Sequence, residues 1–306
     1  MKDPFEKRPF GEDTKSISEK AVDYPHEARG CFAMNCEGKV IIGGGAEEGR
    51  SEGGCYHMQY YLNKVYLFDS NKYIEVESLN HFRPLSCGVV YRKHFIVSGG
   101  LNMFAQKSME VLHCDKNLKT NKWELFEDSL PIALINHQVN ILNDRIVLTG
   151  GINQEITYQS NGELIFSNKV WEGIVSFKPK FNIKWTKLPS MLERRSGHVA
   201  VVINNTIYCI GGEAGHSSDD CIYLSDLYSS EYLSKDKKTW KWGPSLRFTL
   251  VGAKGTVDNA SQQCIITGGN RNGEPSNKIS LFNPINGLRD IGESNRSIYD
   301  HVAVIL

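Results

Sequence analysis

Few of the residues that could do chemistry in this chain stand at a spacing that chemistry would use. No H-E-x-x-H zinc helix or G-x-x-x-x-G-K phosphate loop occurs, so two common catalytic classes lack their signature. Eight cysteines lie at 31, 36, 55, 87, 114, 209, 221 and 264 without a C-x-x-C pair, which reads as small buried hydrophobes or surface thiols. His137, His198 and His301 each open an apolar run, but no cysteine or carboxylate joins them at ligand spacing. They read as hydrogen-bonding side chains, and the adjacent Glu47 and Glu48 as a solvated pair. What remains is a set of arginines: Arg29, Arg83, Arg194 with Arg195, Arg247 and Arg296. A guanidinium fork binds carboxylates bidentately, so the chemistry on offer is recognition of acidic groups. The expectation is a non-enzyme with no cofactor and no metal.

Charge and hydropathy narrow the partners. Lys plus Arg and Asp plus Glu number 35 each, so no net field draws the chain to phosphate backbones or anionic lipid. Apolar runs such as Val199–Ile203 and His301–Leu306 fall far short of the roughly 20 residues that span a bilayer. Nucleic acid and membrane are therefore not expected as partners. The N-terminus, MKDPFEKRPFGEDTKSISEK, is charged throughout and has no apolar signal core, which points to a cytoplasmic location. Sequons at Asn204, Asn259 and Asn295 would matter only outside that compartment.

Those residues must be positioned by a repeat. An apolar run ending in a double glycine recurs five times: Val40-Ile-Ile-Gly-Gly44, Phe95-Ile-Val-Ser-Gly-Gly100, Ile146-Val-Leu-Thr-Gly-Gly151, Ile207-Tyr-Cys-Ile-Gly-Gly212 and Cys264-Ile-Ile-Thr-Gly-Gly269. Each is short, β-branched and bounded by turn formers, the pattern of a buried strand. A second strand follows each, at Val65, Val111, Ile174, Glu231 and Ile279, and a third opens on a bulky residue: Tyr73, Trp123, Trp185, Trp240 or Leu288. From the bulky residue to the next double glycine the distance is 27, 28, 27 and 29 residues. From the double glycine forward it is 29, 23, 34, 28 and 19, so length variation is confined to one connection. A fourth strand precedes the next double glycine, as in Gly88–Tyr91 and His198–Ile203, with tight turns at Asn143-Asp144, Asn204-Asn205 and Asp258-Asn259. Four short strands per fifty to sixty residues is the arithmetic of a propeller blade.

The chain resembles the kelch-repeat β-propellers. The resemblance is fullest from Trp185-Thr-Lys-Leu-Pro189 through Arg195-Ser-Gly-His198 to Gly211-Gly212, and spans about residues 28 to 306. It departs at Leu288, which replaces the tryptophan, and at Leu134, which replaces the arginine before His137. The expected fold is all-β, a kelch-type propeller of five recognisable four-stranded blades plus a partial sixth, within a domain of residues 23–306. Residues 1–22 form a polar N-terminal segment whose stretch Thr14–Val22 is placed to supply a closing strand. His301–Leu306 echoes His198–Ile203 and reads as the first strand of a sixth blade. The ring is either five blades plus a shared partial one or an incomplete form of a six-bladed chain.

The resemblance implies that the connections after the double glycines and those between blades share one face around the central channel. Arg29, Arg83, Arg195, Arg247 and Arg296 are expected to form a near-ring there, beside Asn102, Met103, Asn153, Glu213, Asn270 and Arg271. Met103-Phe104 and Phe248 are candidate interface anchors, whereas Trp123, Trp185, Trp240 and Trp242 read as packing between blades. The loops at 46–63 and 152–169 are expected to protrude. The reading is a non-catalytic adaptor or scaffold gripping a protein or acidic peptide, with cytoskeletal and ubiquitin-ligase partners in view. A ligase receptor would need another subunit, since the twenty or so residues before the first repeat are too few for a recruiting domain. A kelch-type enzyme, such as a sugar-acid mutarotase or an oxidase, is the alternative.

Overall fold

In a computed structural model the chain is described at residues 25–26, 28–49, 58–114, 118–153, 165–218, 221–258 and 261–295, and at positions 297, 301 and 303. The expected closing strand at Thr14–Val22 and most of His301–Leu306 lie outside these residues.

The described residues form no helix and build five antiparallel blades of four strands, here lettered a to d from the axis outward. The blades are Ala28–Cys36, Lys39–Gly49, Val65–Asp69 and Lys72–Val76; Cys87–Tyr91, His94–Ser98, Met109–His113 and Glu124–Phe126; Gln138–Leu142, Arg145–Thr149, Val170–Ser176 and Asn182–Leu188; Val199–Ile203, Thr206–Ile210, Ser230–Leu233 and Trp240–Trp242; and Lys254–Asp258, Gln263–Thr267, Lys278–Asn283 and Gly287–Glu293. The double-glycine run is strand b. The strand read as fourth in each repeat is strand a of the following blade, and neighbouring a strands line a central channel of about 740 Å3. Ile41, Val97, Leu148, Ile207 and Ile266 on the b strands are wholly buried. Each such side chain contributes about 1.5–3 kcal/mol through the hydrophobic effect.

In the first blade the double glycine is displaced by one residue from its expected place. Backbone angles at Gly99 and Gly100 are φ +59° and +91°, and the pair recurs at Gly44 and Gly45 with +66° and +92°. The residues that turn the chain are therefore Gly44 and Gly45, and Gly43 takes the place that Ser98, Thr149, Ile210 and Thr267 hold elsewhere. A Cβ at Gly45 would meet Cys31 Sγ at 2.5 Å, so the turn excludes any side chain there.

Two ladders tie blade to blade. His137 Nε2 is hydrogen-bonded to Ser98 Oγ at 2.8 Å, His198 Nε2 to Thr149 Oγ1 at 3.0 Å and His301 Nε2 to Thr267 Oγ1 at 2.7 Å. His137 and His198 each precede an innermost strand and reach the b strand of the blade before it, and His301 reaches the b strand of the fifth blade in the same way. Ala303 lines the channel beside the fifth. The second ladder is backbone: Leu85 N donates to Gly30 O at 2.9 Å, Asn136 N to Leu85 O at 2.9 Å, Gly197 N to Asn136 O at 3.2 Å and Gly252 N to Gly197 O at 2.9 Å. All five residues lie in the left-handed region, including Leu85 at φ +59°. That conformation turns the N–H of one blade onto the carbonyl of the last, and a non-glycine residue there stores strain.

Candidate functional site

Because the strands alternate in direction, the b–c loops and the d–a connections emerge on one face. They are stitched together at its centre, where Ile135 bridges Ile152, Ser196 bridges Glu213 and Val251 bridges Asn270. Leu101 N donates to Pro84 O at 3.0 Å in the corresponding place of the second blade.

The expected arginine ring does not form. Arg83 and Arg195 are wholly buried, and their forks are consumed inside their own blades. Arg83 donates from Nε to Glu110 at 2.8 Å, from Nη1 to Gly99 O at 2.7 Å and from Nη2 to Ser108 Oγ at 2.8 Å. Arg195 repeats the arrangement with Glu231 at 2.7 Å, Gly211 O at 2.6 Å and Ser229 Oγ at 2.7 Å. Burial pushes the Arg83 guanidinium below its ordinary range and the Glu110 charge opposes that shift. Neither fork can reach a partner. Arg271 is also committed, to Asp290 at 2.9 Å and Ser280 at 2.7 Å, with its guanidinium 4.3 Å from the centre of the Phe248 ring. Phe248 is thereby folded back under Arg271 and half-buried. Of the other expected ring members, Arg29 and Arg247 are exposed at positions the repeat does not relate, and Arg296 lies outside the described residues. Asn102 is half-buried, Asn153 and Asn270 each hold a buried Oδ1 without a partner, and Glu213 is held in its bridge to Ser196.

The buried pairs shape the face in another way. Glu110 also accepts from Asn80 N at 2.6 Å and His81 N at 3.1 Å, and Glu231 from Leu192 N at 2.6 Å and Glu193 N at 3.4 Å. Each carboxylate therefore pins the connection entering its blade, and each pinned connection presents an apolar side chain outward, Phe82 in one and Leu192 in the other. In the third blade Leu134 and Trp171 occupy the arginine and glutamate places, both buried in one apolar cluster.

Exposed apolar residues gather on this face. Of the eleven large hydrophobic side chains exposed among the described residues, Tyr60, Phe82, Met103, Phe104, Ile165, Leu192, Leu224 and Tyr228 lie in its loops and connections. Met103 is 79% exposed at the tip of a hairpin in which Asn102 pairs with Phe104, and its φ is +61°. Only Met103 and Phe104 of this group are evident in the sequence as rim residues. Phe82 and Leu192 carry a signal in retrospect, an apolar residue just before the arginine of the inter-blade connection. The expected packing role holds for Trp123, Trp185 and Trp240, while Trp242 is 56% exposed on the outermost strand.

No group of three His, Cys, Asp or Glu side chains among the described residues could hold a metal. Burial holds His137 and His301 near a pKa of about 3, so both are neutral struts.

The Kelch motif family model matches residues 194–246, the stretch from Arg194, next to the buried Arg195, through the fourth blade to the connection beyond it. In fold this chain is a kelch-type β-propeller. The kelch chain is 28% identical over 187 residues to Kelch repeat and BTB domain-containing protein 2 of cowpox virus (strain GRI-90 / Grishak), covering 61% of this chain and 29% of that protein. It is 20% identical over 244 residues to Kelch-like protein 36 of Rattus norvegicus, covering 79% of this chain and 34% of the relative. The chain thus spans about a third of the length of these relatives. In fold it is similar to the solved structure titled "Structure of YjhT", with TM-score 0.68 and 16% identity over 89% of this chain and 90% of that one. No helix among the described residues is long and apolar enough to cross a membrane.

Proposed function

We propose that this kelch propeller is a non-catalytic interaction module that grips a partner protein on its loop face. The observation that carries the reading is the gathering of exposed apolar side chains on that face, two of which, Phe82 and Leu192, stand on connections held by buried Arg–Glu pairs. Rigid connections offering large apolar side chains are what interface anchors require, since little conformational freedom is lost on binding. Relatives named for kelch repeats with a BTB domain support a protein partner, a ubiquitin-ligase component among the candidates. Cytoskeletal attachment fits the same face. Affinity capture compares the wild-type chain with Phe82→Ser/Met103→Ser/Phe104→Ser. A partner held by the first and lost by the second, at equal thermal stability, is the expected result; equal capture by both overturns the assignment.

A second reading rests on the channel. Lys254, Gln138 and Asn140 line it, and Asn140 Nδ2 is buried without a partner, a setting for a small polar ligand. Citrate should then raise the thermal midpoint of the wild type and not of Lys254→Met; no shift in either removes this reading.

A further inference from the structure

In three blades an indole wedges the outer part of the blade interface. Trp123 Nε1 donates to Glu77 O at 3.0 Å, Trp185 Nε1 to Ser129 O at 2.6 Å and Trp240 Nε1 to Pro189 O at 2.9 Å. Each acceptor lies in the connection that enters the tryptophan's own blade. Register places Leu288 at the same point of the fifth blade: it pairs with Phe282 as Trp185 pairs with Gly173 and Trp240 with Leu233. The smaller side chain leaves a space. Between the fourth and fifth blades lies a cavity of about 780 Å3, with Leu288, Phe282, Ile203 and Phe248 among its apolar walls and Arg247 and Arg289 lining it as well. Its lining residues Arg247, Asn204 and Ser261 are exposed, so solvent reaches it.

We propose that this cavity binds an aromatic carboxylate, its ring taking the place of the missing indole and its carboxylate meeting Arg247. Three features carry the assignment. The repeat shows that a flat aromatic ring fits this interface, because its own tryptophan fills the equivalent place three times. The cavity is of the size and mixed lining of small-ligand sites, about 300–1,000 Å3. Arg247 engages no partner among the described residues, and an idle guanidinium at an apolar cavity is suited to a carboxylate. None of the exposed apolar side chains of the loop face lines the cavity, so the proposal stands or falls independently of the partner read there. The same chemistry is presented by a free aryl acid or by an aromatic residue in an acidic chain segment.

Indole-3-propionate, indole-3-propionamide and the peptide acetyl-Asp-Trp-Asp-amide are titrated into the full chain by calorimetry and by two-dimensional NMR. Indole-3-propionate is expected to bind saturably, about tenfold more tightly than the neutral amide, as a lost charge-assisted pair implies. Arg247→Ala should erase that difference, and Leu288→Trp should abolish binding while the thermal midpoint holds or rises. Leu288→Phe serves if the tryptophan variant does not fold, and should weaken binding. Tighter binding of the peptide assigns the site to a chain segment, tighter binding of the free acid to a small molecule. Absence of saturable binding to the wild type, or equal binding by a folded Leu288→Trp, overturns the proposal.

Discussion

Arg83 Nε donates to Glu110 Oε1 at 2.8 Å with both side chains wholly buried, and the carboxylate that receives it also holds the backbone of Asn80 and His81. The pair is thus a brace between the third strand of the second blade and the connection that enters it. Its counterpart, Arg195 with Glu231, braces the fourth blade in the same way. The residues closest to the family's most recognisable polar signature therefore serve the face by holding it in shape.

Breaking one brace leaves an uncompensated buried charge, so Arg83→Ala should cost about 3–5 kcal/mol in urea unfolding. Replacing both partners by apolar residues, Arg83→Leu with Glu110→Met, should recover much of that loss, as Leu134 and Trp171 already do in the third blade. The double variant still lacks the acceptor for Asn80 and His81. Faster amide exchange at those two positions, against an unchanged fourth blade, is the expected signature; uniform protection would show that the carboxylate does not hold the connection.

The strut histidines make stability depend on pH with a definite sign. Burial holds His137 and His301 at about 3 and His198 well below its ordinary value, while an unfolded histidine titrates near 6.5. Between those values the unfolded state binds more protons than the folded one, so stability is full above pH ~6.5 and falls as pH drops toward 3. Chemical denaturation at a series of pH values should show that slope. His137→Gln, which keeps a hydrogen-bonding group beside Ser98 but cannot titrate, should make it shallower while His198 and His301 keep the remainder; an unchanged slope would place the protonation elsewhere.

Four buried thiols should be inert while the chain is folded. Burial pushes Cys31, Cys209 and Cys264 up to about 12, and Cys36 likewise with its neighbour Cys114 adding to the effect. The thiolate is the reactive form, so at pH 8 these four groups present almost none of it. Mass spectrometry after brief alkylation should find them unmodified in native protein and fully modified in guanidinium. Labelling of any of the four in the native state would mean that its blade interface opens.

How much of this was legible in the sequence follows from what each signal encodes. The double glycine and the bulky residue are local demands of the blade, so their spacing revealed the strands and even the departure at Leu288. Gly43, Gly44 and Gly45 offered two registers, and only the backbone angles show which pair turns the chain. Arg83 and Arg195 were visible as repeated residues, but their partners Glu110 and Glu231 stand 27 and 36 positions away on the far side of the variable loop. An exposed arginine and a braced one look alike in a sequence. Phe82 and Leu192 were missed because a single apolar residue in a polar connection carries no period.

Met103 joins conformational strain to exposure. A bulky side chain in the left-handed region is strained, at a cost of order 1–3 kcal/mol, and its outward position recovers little by burial. Glycine adopts φ +61° without that strain, so Met103→Gly should raise the thermal midpoint by a few degrees, the larger entropy loss of glycine limiting the gain. If Met103 is an anchor of the loop face, the same substitution should weaken partner capture although the fold is firmer, because the apolar side chain is gone. The two readouts then move in opposite directions. A variant that is both stabilised and fully active in capture would show that the hairpin tip takes no part in binding, and would move the anchor to Phe82, Leu192 or Tyr228.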